Sequence, residues 1–247
     1  MKKVIVIPAR LDSSRLPKKV LLDLKGKTVI QRVYEQCLKV KNIDGVYIAT
    51  DSPEIEGVCR SFTNHIILTK STHQSGTDRI GEAVAGIDCD IVVNVQGDEP
   101  FIDPNLIEEL VHSFEDDQVS MASAMSKIEN IKDLQDPNVV KVVVDSQNNS
   151  IYFSRAPIPF PRDHQEIIHS NEELKKHNFF RHIGIYGYRK DFLAKYIKMD
   201  QSNLEKLEKL EQLRVIENGF KIKMIEVASC LIGIDTQEDY EEALKKY

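Results

Sequence analysis

The chain opens MKKVIVIPARLDSSRLPKKV (residues 1–20), and this stretch carries most of the decision about the fold. Two lysines precede an unbroken apolar run, so residues 3–7 read as a strand buried on both faces, as in a parallel sheet. The run stops at Pro8 and Arg10 follows, which is too short for a signal-peptide core or a membrane span. Residues 8–19 then gather Arg10, Arg15, Lys18 and Lys19, with Ser13 and Ser14 between them. Cations and hydroxyls just after a first strand suit a polyphosphate, because arginine grips phosphate oxygens bidentately, lysine supplies a point charge and loop N–H groups add donors. No glycine falls between Pro8 and Lys19, so the loop is neither a GxGxxG turn nor a Walker A loop. Taken alone, it reads equally well as a solvated basic turn.

Outward from this strand, apolar runs alternate with amphipathic stretches. Residues 28–40 have helical apolar spacing, 45–49 read as a strand, and Ser52-Pro53 reads as a helix start. Residues 66–69 form a strand, 78–85 a helix, 91–96 a buried strand, and Asp103-Pro104 opens a helix through Val111. The β-α-β-α order predicts a mostly parallel sheet with helices on both faces, and ligands in such sheets sit at the carboxyl ends of the strands. The second half is richer in strand patterns, at 139–145, 151–154 and 182–189. Between the last two, residues 157–176 read as an exposed arm. Residues 202–218 read as one helix, with Ser202 and Glu205 in capping-box spacing, a stripe of Leu204, Leu207, Leu210 and Leu213, and Gly219 as the stop. Thr236 and Asp239 repeat the cap for a C-terminal helix.

Composition narrows the function classes. With 41% hydrophobic and 29% charged residues, the 247-residue chain has ordinary globular make-up and can bury a full core. A net charge of −6 without a Lys/Arg block argues against nucleic acid as a partner. The four cysteines (Cys37, Cys59, Cys89, Cys230) form no CxxC pair, which fits reduced thiols in the cytoplasm. The seven histidines show no zinc-site spacing.

Further blocks carry chemistry. NVQGDEPFID (94–103) ends a buried strand in Gln96, Gly97, Asp98 and Glu99, and carboxylates at a strand's carboxyl end are placed to hold Mg²⁺ beside phosphates. LIGIDTQED (231–239) sets Asp235 just before a helix cap. It reads as a helix-start acid, and becomes a metal ligand only if it meets Asp98 in space. HQSGTDRI (73–80) is a small N–H-rich turn with Ser75 and Gly76, suited to a base, a phosphate or a plain helix start. In the second half Arg155, His182, Tyr186, Glu211 and Gln212 are polar groups in apolar context. As a set they suit a sugar, and singly each reads as a satisfied core or edge residue.

Together these blocks resemble the 3-deoxy-manno-octulosonate (Kdo) cytidylyltransferases, also called CMP-Kdo synthetases. IPAR-x3-SRLP-x-K, ATD, HQSGTDR, VNVQGDEP, NVVKVV, YFSRAPIP, RHIGIYGY, LEKLEQLR and GIDTQED occur in order along the whole chain. The resemblance implies a Rossmann-like α/β nucleotidyltransferase sheet with a smaller β-rich dimerisation and sugar-binding part. It implies one domain over residues 1–247, with a β-rich arm inserted at about 150–190. The implied reaction is attack of the sugar acid's anomeric hydroxyl on the α-phosphate of CTP, giving CMP-Kdo and pyrophosphate. Carried over by position, Arg10, Lys19, Asp98 and Asp235 are the catalytic set. Arg10, Ser13, Arg15, Lys19, Ser75 and Gly76 bind nucleotide, and Asp98 and Asp235 bind Mg²⁺. Gln96, Arg155, His182, Tyr186, Glu211 and Gln212 line the sugar pocket. The resemblance further implies CTP and a Kdo-type sugar acid as partners, no nucleic acid, no membrane, a homodimer, a cytoplasmic location and a place in lipopolysaccharide synthesis. Two positions depart from the pattern. Lys18 stands where glycine is common, which leaves both Lys18 and Lys19 as options for the phosphate contact, and Gln237 stands where proline is usual. The alternatives are a cytidylyltransferase for the 8-amino analogue of Kdo or another sugar acid such as sialic acid, and a catalytically silent nucleotide-binding module.

Overall fold

A run such as VIVI folds as an inner strand because both of its faces can be covered, and that is how it is used. A computed structural model describes residues 1–11, 15–73, 75–163, 169–228 and 233–247. Among them the strands are β1 (Lys3–Ala9), β2 (Gly45–Thr50), β3 (Ile66–Leu68), β4 (Ile91–Asn94), β5 (Met121–Lys127), β6 (Lys141–Val144), β7 (Ser150–Ser154), β8 (Phe180–Arg189) and β9 (Lys223–Glu226). The helices are α1 (Val29–Cys37), α2 (Pro53–Cys59), α3 (Gly76–Ala83), α4 (Pro104–His112), α5 (Ile131–Gln135), α6 (Asn171–Lys175), α7 (Lys190–Tyr196), α8 (Asn203–Glu208), α9 (Leu213–Glu217) and α10 (Gln237–Lys246). The chain divides into two units, one of Met1–His112, Gly187–Ile197 and Leu231–Tyr247, the other of Ser113–Tyr186 and Lys198–Cys230.

In the first unit β3, β2, β1 and β4 lie side by side in that order, every pair parallel. β1 is buried from Val4 to Ala9 and β4 throughout. The expected parallel α/β architecture is therefore present. Its helices begin where local chemistry says they should. Thr28 accepts from the Gln31 N–H ahead of α1, Ser52 caps α2 with Pro53 at its first position, and Ser75 and Thr236 form capping boxes with Asp78 and Asp239. A small core of Leu16, Leu24, Val29, Ile234 and Ala243, joined by Phe101 and Tyr240, packs the end of the first loop against α1 and α10.

The second unit holds β5, β6, β7, β9 and most of β8. β5 and β9 pair in parallel, whereas β6 pairs antiparallel with both β7 and β8. Two readings are corrected here, and one strand went unread. Residues 202–218 are not one helix. Lys209, at φ 55°, ends α8, and α9 starts four residues later. A buried ion pair between Glu205 and Arg214 holds the two pieces, and Leu207 is left 79% exposed, so the leucine stripe is broken. The predicted arm at 157–176 is not all exposed. Ser170 caps α6, and Leu174 is fully buried with Ile128, Leu134 and Phe179. Finally β5, with the sequence MASAMSK, has no β-branched residue to announce a strand, yet it is buried from Met121 to Ser126.

Candidate functional site

The carboxyl ends of β1 and β4 open into a cleft of about 310 Å³ in the first unit. Arg10, Arg15 and Lys19 from the first loop, Gly76 from the start of α3, Gln96, Gly97 and Asp98 after β4, and Asp235 ahead of α10 all line it. These are residues the sequence singled out. Ser13 lies outside the described residues.

The turn after β4 packs tightly at Gly97. A Cβ there would stand 3.0 Å from the Pro8 carbonyl oxygen, so a larger residue would have to push the end of β1 away by a few tenths of an ångström. Asp235 reaches the same cleft because α10 is fastened down. Ile234 N–H donates to the Asp98 carbonyl at 2.9 Å, and Tyr247 donates its hydroxyl to the Pro100 carbonyl at 2.9 Å. Asp239 accepts the N–H groups of Asp235 and Thr236.

At the centre, the Lys19 ammonium touches the carboxylates of both Asp98 and Asp235, the latter at 2.7 Å. Arg15 adds a second cation on Asp235 at 3.1 Å. Burial works against the charge on Lys19, but the two carboxylates outweigh it and hold its pKa above the ordinary lysine value. Burial likewise opposes the Asp235 charge, and Lys19 and Arg15 hold this carboxyl below its usual range. Glu99, the next residue after Asp98, behaves differently. Burial first, then the charges of Asp98 and Asp235, push it up to about 8, and its Oε2 is buried without a hydrogen-bond partner among the described residues.

The two lysines of the loop separate cleanly. Lys18 adopts a left-handed conformation (φ 55°) and its ammonium pairs with Glu54 at 2.7 and 2.9 Å, whereas Lys19 lines the cleft. The left-handed φ is also the physical reason a glycine would suit position 18. Ser75 commits its hydroxyl to the cap of α3, bonding Asp78 N–H and Oδ2. Gly76 then presents the open end of the helix to the cleft. Arg79 on α3, 1% exposed, bonds Thr69 after β3 and Asp51 (3.2 Å) after β2, and so ties the neighbouring loops together. Its function in the ATD and HQSGTDR blocks is visible only in space.

Asp98 and Asp235 have the donor chemistry for a divalent metal. They already clasp one cation, and two carboxylates completed by phosphate oxygens is a donor set that Mg²⁺ takes. No group of three or more His, Cys, Asp or Glu is placed to hold a metal among the described residues, so substrate oxygens would have to complete the shell.

In the second unit, His182 Nε2 lies 2.8 Å from Ser123 Oγ, which donates in turn to the Ile185 carbonyl at 2.8 Å. Gln212 Nε2 approaches His182 Nδ1 at 3.5 Å. This chain of donors assigns the imidazole proton to Nε2. Burial drives the ring's pKa down to about 3, so it is neutral at physiological pH. The rings of Phe153 and Tyr186 flank it at 5.0 and 5.4 Å. His182, Tyr186 and Gln212 are thus brought together. Ser123, on the unannounced β5, belongs with them and had no signal in sequence. Arg155 is held elsewhere. Its guanidinium donates to the carbonyls of Glu208 (2.7 Å) and Pro137 (2.9 Å), closing the end of α8, while Glu208 accepts from Ser154 Oγ and Arg155 N–H. Glu211 is exposed.

Comparison with known proteins decides the family. The cytidylyltransferase family model matches residues 4–224. A 3-deoxy-manno-octulosonate cytidylyltransferase of Francisella tularensis subsp. holarctica is 49% identical, covering 98% of this chain and 97% of that protein. This chain belongs to the 3-deoxy-manno-octulosonate cytidylyltransferase family. Another member, from Geobacter metallireducens, is 41% identical over all of this chain and 98% of its own. A solved CMP:2-keto-3-deoxy-manno-octonic acid synthetase, complexed with CTP, superposes with a TM-score of 0.92 at 40% identity, covering 100% of this chain and 98% of that one. A cytidylyltransferase from Leptospira borgpetersenii shares the fold at 17% identity and a TM-score of 0.62.

Proposed function

We propose that the chain transfers CMP from CTP to the anomeric hydroxyl of Kdo. The hydroxyl gives up its proton to water, its oxygen forms a bond to the α-phosphorus, the bond to the bridging oxygen breaks, and pyrophosphate leaves with the electron pair. The observation that carries this reading is the cleft in which Arg10, Arg15 and Lys19 face Asp98 and Asp235. Chemistry of this kind needs positioning and charge neutralisation more than covalent help from the protein.

In this reading Arg10 and Lys19 hold the β- and γ-phosphates and offset the charge that builds on the leaving pyrophosphate. Arg15 and the first turn of α3 at Gly76 add donors for the nucleotide. Ser75 serves by capping that turn, and Ser13 is assigned to the same loop by position. Asp98 and Asp235 hold magnesium, which when bound neutralises phosphate charge and lowers the pKa of the attacking hydroxyl. Gln96, Tyr186, Glu211 and Gln212 are assigned to hydroxyls of the sugar acid. His182, neutral and hydrogen-bonded through Nε2, contributes as a hydrogen-bonding group and not as a charge. Arg155 serves the same group by fixing the end of α8.

The remaining parts follow the family. A homodimer is supported by large apolar side chains left exposed in the second unit, Phe160 at 68% and Ile151 at 55%. Light scattering that finds a monomer at micromolar concentration overturns it. A cytoplasmic location is supported by the free, buried thiols of Cys37, Cys59 and Cys89, and a place in lipopolysaccharide synthesis rests on the Kdo assignment alone. No helix among the described residues is long and apolar enough to cross a membrane.

The test is pyrophosphate release from CTP and Mg²⁺ with a panel of sugar acids. Release with Kdo supports the assignment. Release only with the 8-amino analogue or sialic acid moves the substrate, and no release with any acid makes the chain a silent nucleotide-binding module.

A further inference from the structure

The carboxylate pair assigned to the metal already holds a cation that belongs to the chain. Lys19 Nζ is in ion-pair contact with both Asp98 and Asp235, and its side chain is only 15% exposed. Arg15 stands on the outer oxygen of Asp235. A divalent ion entering this pair with Lys19 in place would sit against an ammonium, with its two ligands already engaged in charge-assisted hydrogen bonds. To bind, it must displace a competitor that is tethered by the backbone and does not dilute away. The exchange becomes favourable when the ammonium is offered another anion within reach. A triphosphate entering the cleft beside Arg10 and Arg15 is such an anion.

We propose that Lys19 is the resident counter-ion of the Asp98–Asp235 pair, and that divalent metal occupies this pair only as the nucleotide's phosphates draw the ammonium away. Metal and nucleotide then bind with positive coupling, and the coupling is reciprocal by linkage. The consequence is an order built into the site. Without nucleotide the acids are neutralised by the protein itself, so free metal is kept off. The inference rests on the metal assignment made under the proposed function, and adds to it that Lys19, not the acids alone, sets when the metal binds. Lys18 has no part in the exchange, because its ammonium is paired with Glu54.

The experiment uses Mn²⁺ as the probe, with its free concentration read by electron paramagnetic resonance in nucleotide-free protein. Wild type is compared with Lys19→Met, with Lys19→Gln as a second variant and Lys18→Met as the control; circular dichroism confirms that each is folded. Loss of the tethered competitor should tighten Mn²⁺ binding in both Lys19 variants by about 5- to 150-fold, the usual span of such couplings, and leave the Lys18 control at the wild-type value. Adding CTP should tighten Mn²⁺ binding in wild type and much less so in the Lys19 variants. The ternary complex is told from Mn²⁺–CTP in solution by its water-proton relaxation enhancement. Equal or weaker Mn²⁺ binding by the Lys19 variants without nucleotide overturns the inference and leaves the metal assignment standing. Absence of Mn²⁺ binding to wild type with CTP present overturns both.

Discussion

Replacing Lys18 with glycine separates the two lysines that sequence left tied. Lys18 sits at φ 55°, ψ 26°, a conformation that costs a residue with a Cβ about 1–2 kcal/mol and glycine almost nothing. Against that relief stand two losses. Glycine raises the entropy of the unfolded chain by about 0.5–1 kcal/mol, and the ion pair with Glu54 disappears. That pair is worth about 0.2–1 kcal/mol, since its side chains are 56% and 46% exposed. The terms nearly cancel, so Lys18→Gly should lie within about 1 kcal/mol of wild type in urea denaturation. Because the Lys18 ammonium points at Glu54 and not into the cleft, kcat/KM for pyrophosphate release should stay within about twofold, the effect of an ordinary surface change. Lys19→Met, measured beside it, should lose about 100-fold or more, the range seen when one preorganised donor to a developing oxyanion is removed. The reasoning is refuted if Lys18→Gly loses activity as severely as Lys19→Met, or if Lys19→Met keeps near-normal turnover.

Three other outcomes follow from the same geometry. Asp98→Asn should abolish turnover while its urea midpoint stays close to wild type; near-normal pyrophosphate release would remove Asp98 from the mechanism. Gly97→Ala places a methyl 3.0 Å from the Pro8 carbonyl, on strand backbone that cannot easily give, so a loss of about 1–3 kcal/mol is expected together with weaker CTP binding. Wild-type stability and wild-type affinity in titration calorimetry would contradict the close approach. His182 has a folded pKa near 3 against an ordinary 6.5, so the unfolded state takes up its proton first as pH falls. Its contribution is complete above about 6.5 and declines toward 3, with a slope of up to about 1.4 kcal/mol per pH unit, and His182→Gln should flatten this acid limb of the stability curve. An unchanged slope in the variant would mean that the ring is charged in the folded state.

What sequence made legible divides along a physical line. β1 and β4 were readable because strands covered on both faces need long apolar runs, and the caps at Ser52, Ser202 and Thr236 were readable because capping is local chemistry between residues a few positions apart, whereas those at Thr28 and Ser75 were passed over. β5 was not, because its small Ala and Ser side chains fit a crowded interior without the β-branched signature of a strand, and Ser123 went unnoticed with it. The break between α8 and α9 was hidden for a related reason. Leucines at helical spacing favour one helix, but the Glu205–Arg214 pair and the grip of Arg155 on the Glu208 carbonyl are tertiary, and they win. The site shows the same division at higher stakes. Residue types in the first loop announced an anion, yet which lysine faces it depends on a single backbone angle at position 18. Asp98 and Asp235 were each plausible as simple turn and helix-start acids. They become a pair only because Ile234 bonds the Asp98 carbonyl and Tyr247 bonds the Pro100 carbonyl, fastening the last helix to the loop after β4. The metal-binding capacity of this chain thus depends on the docking of α10 as much as on the two carboxylates, and a change that frees that helix should cost the pair its geometry without touching either acid.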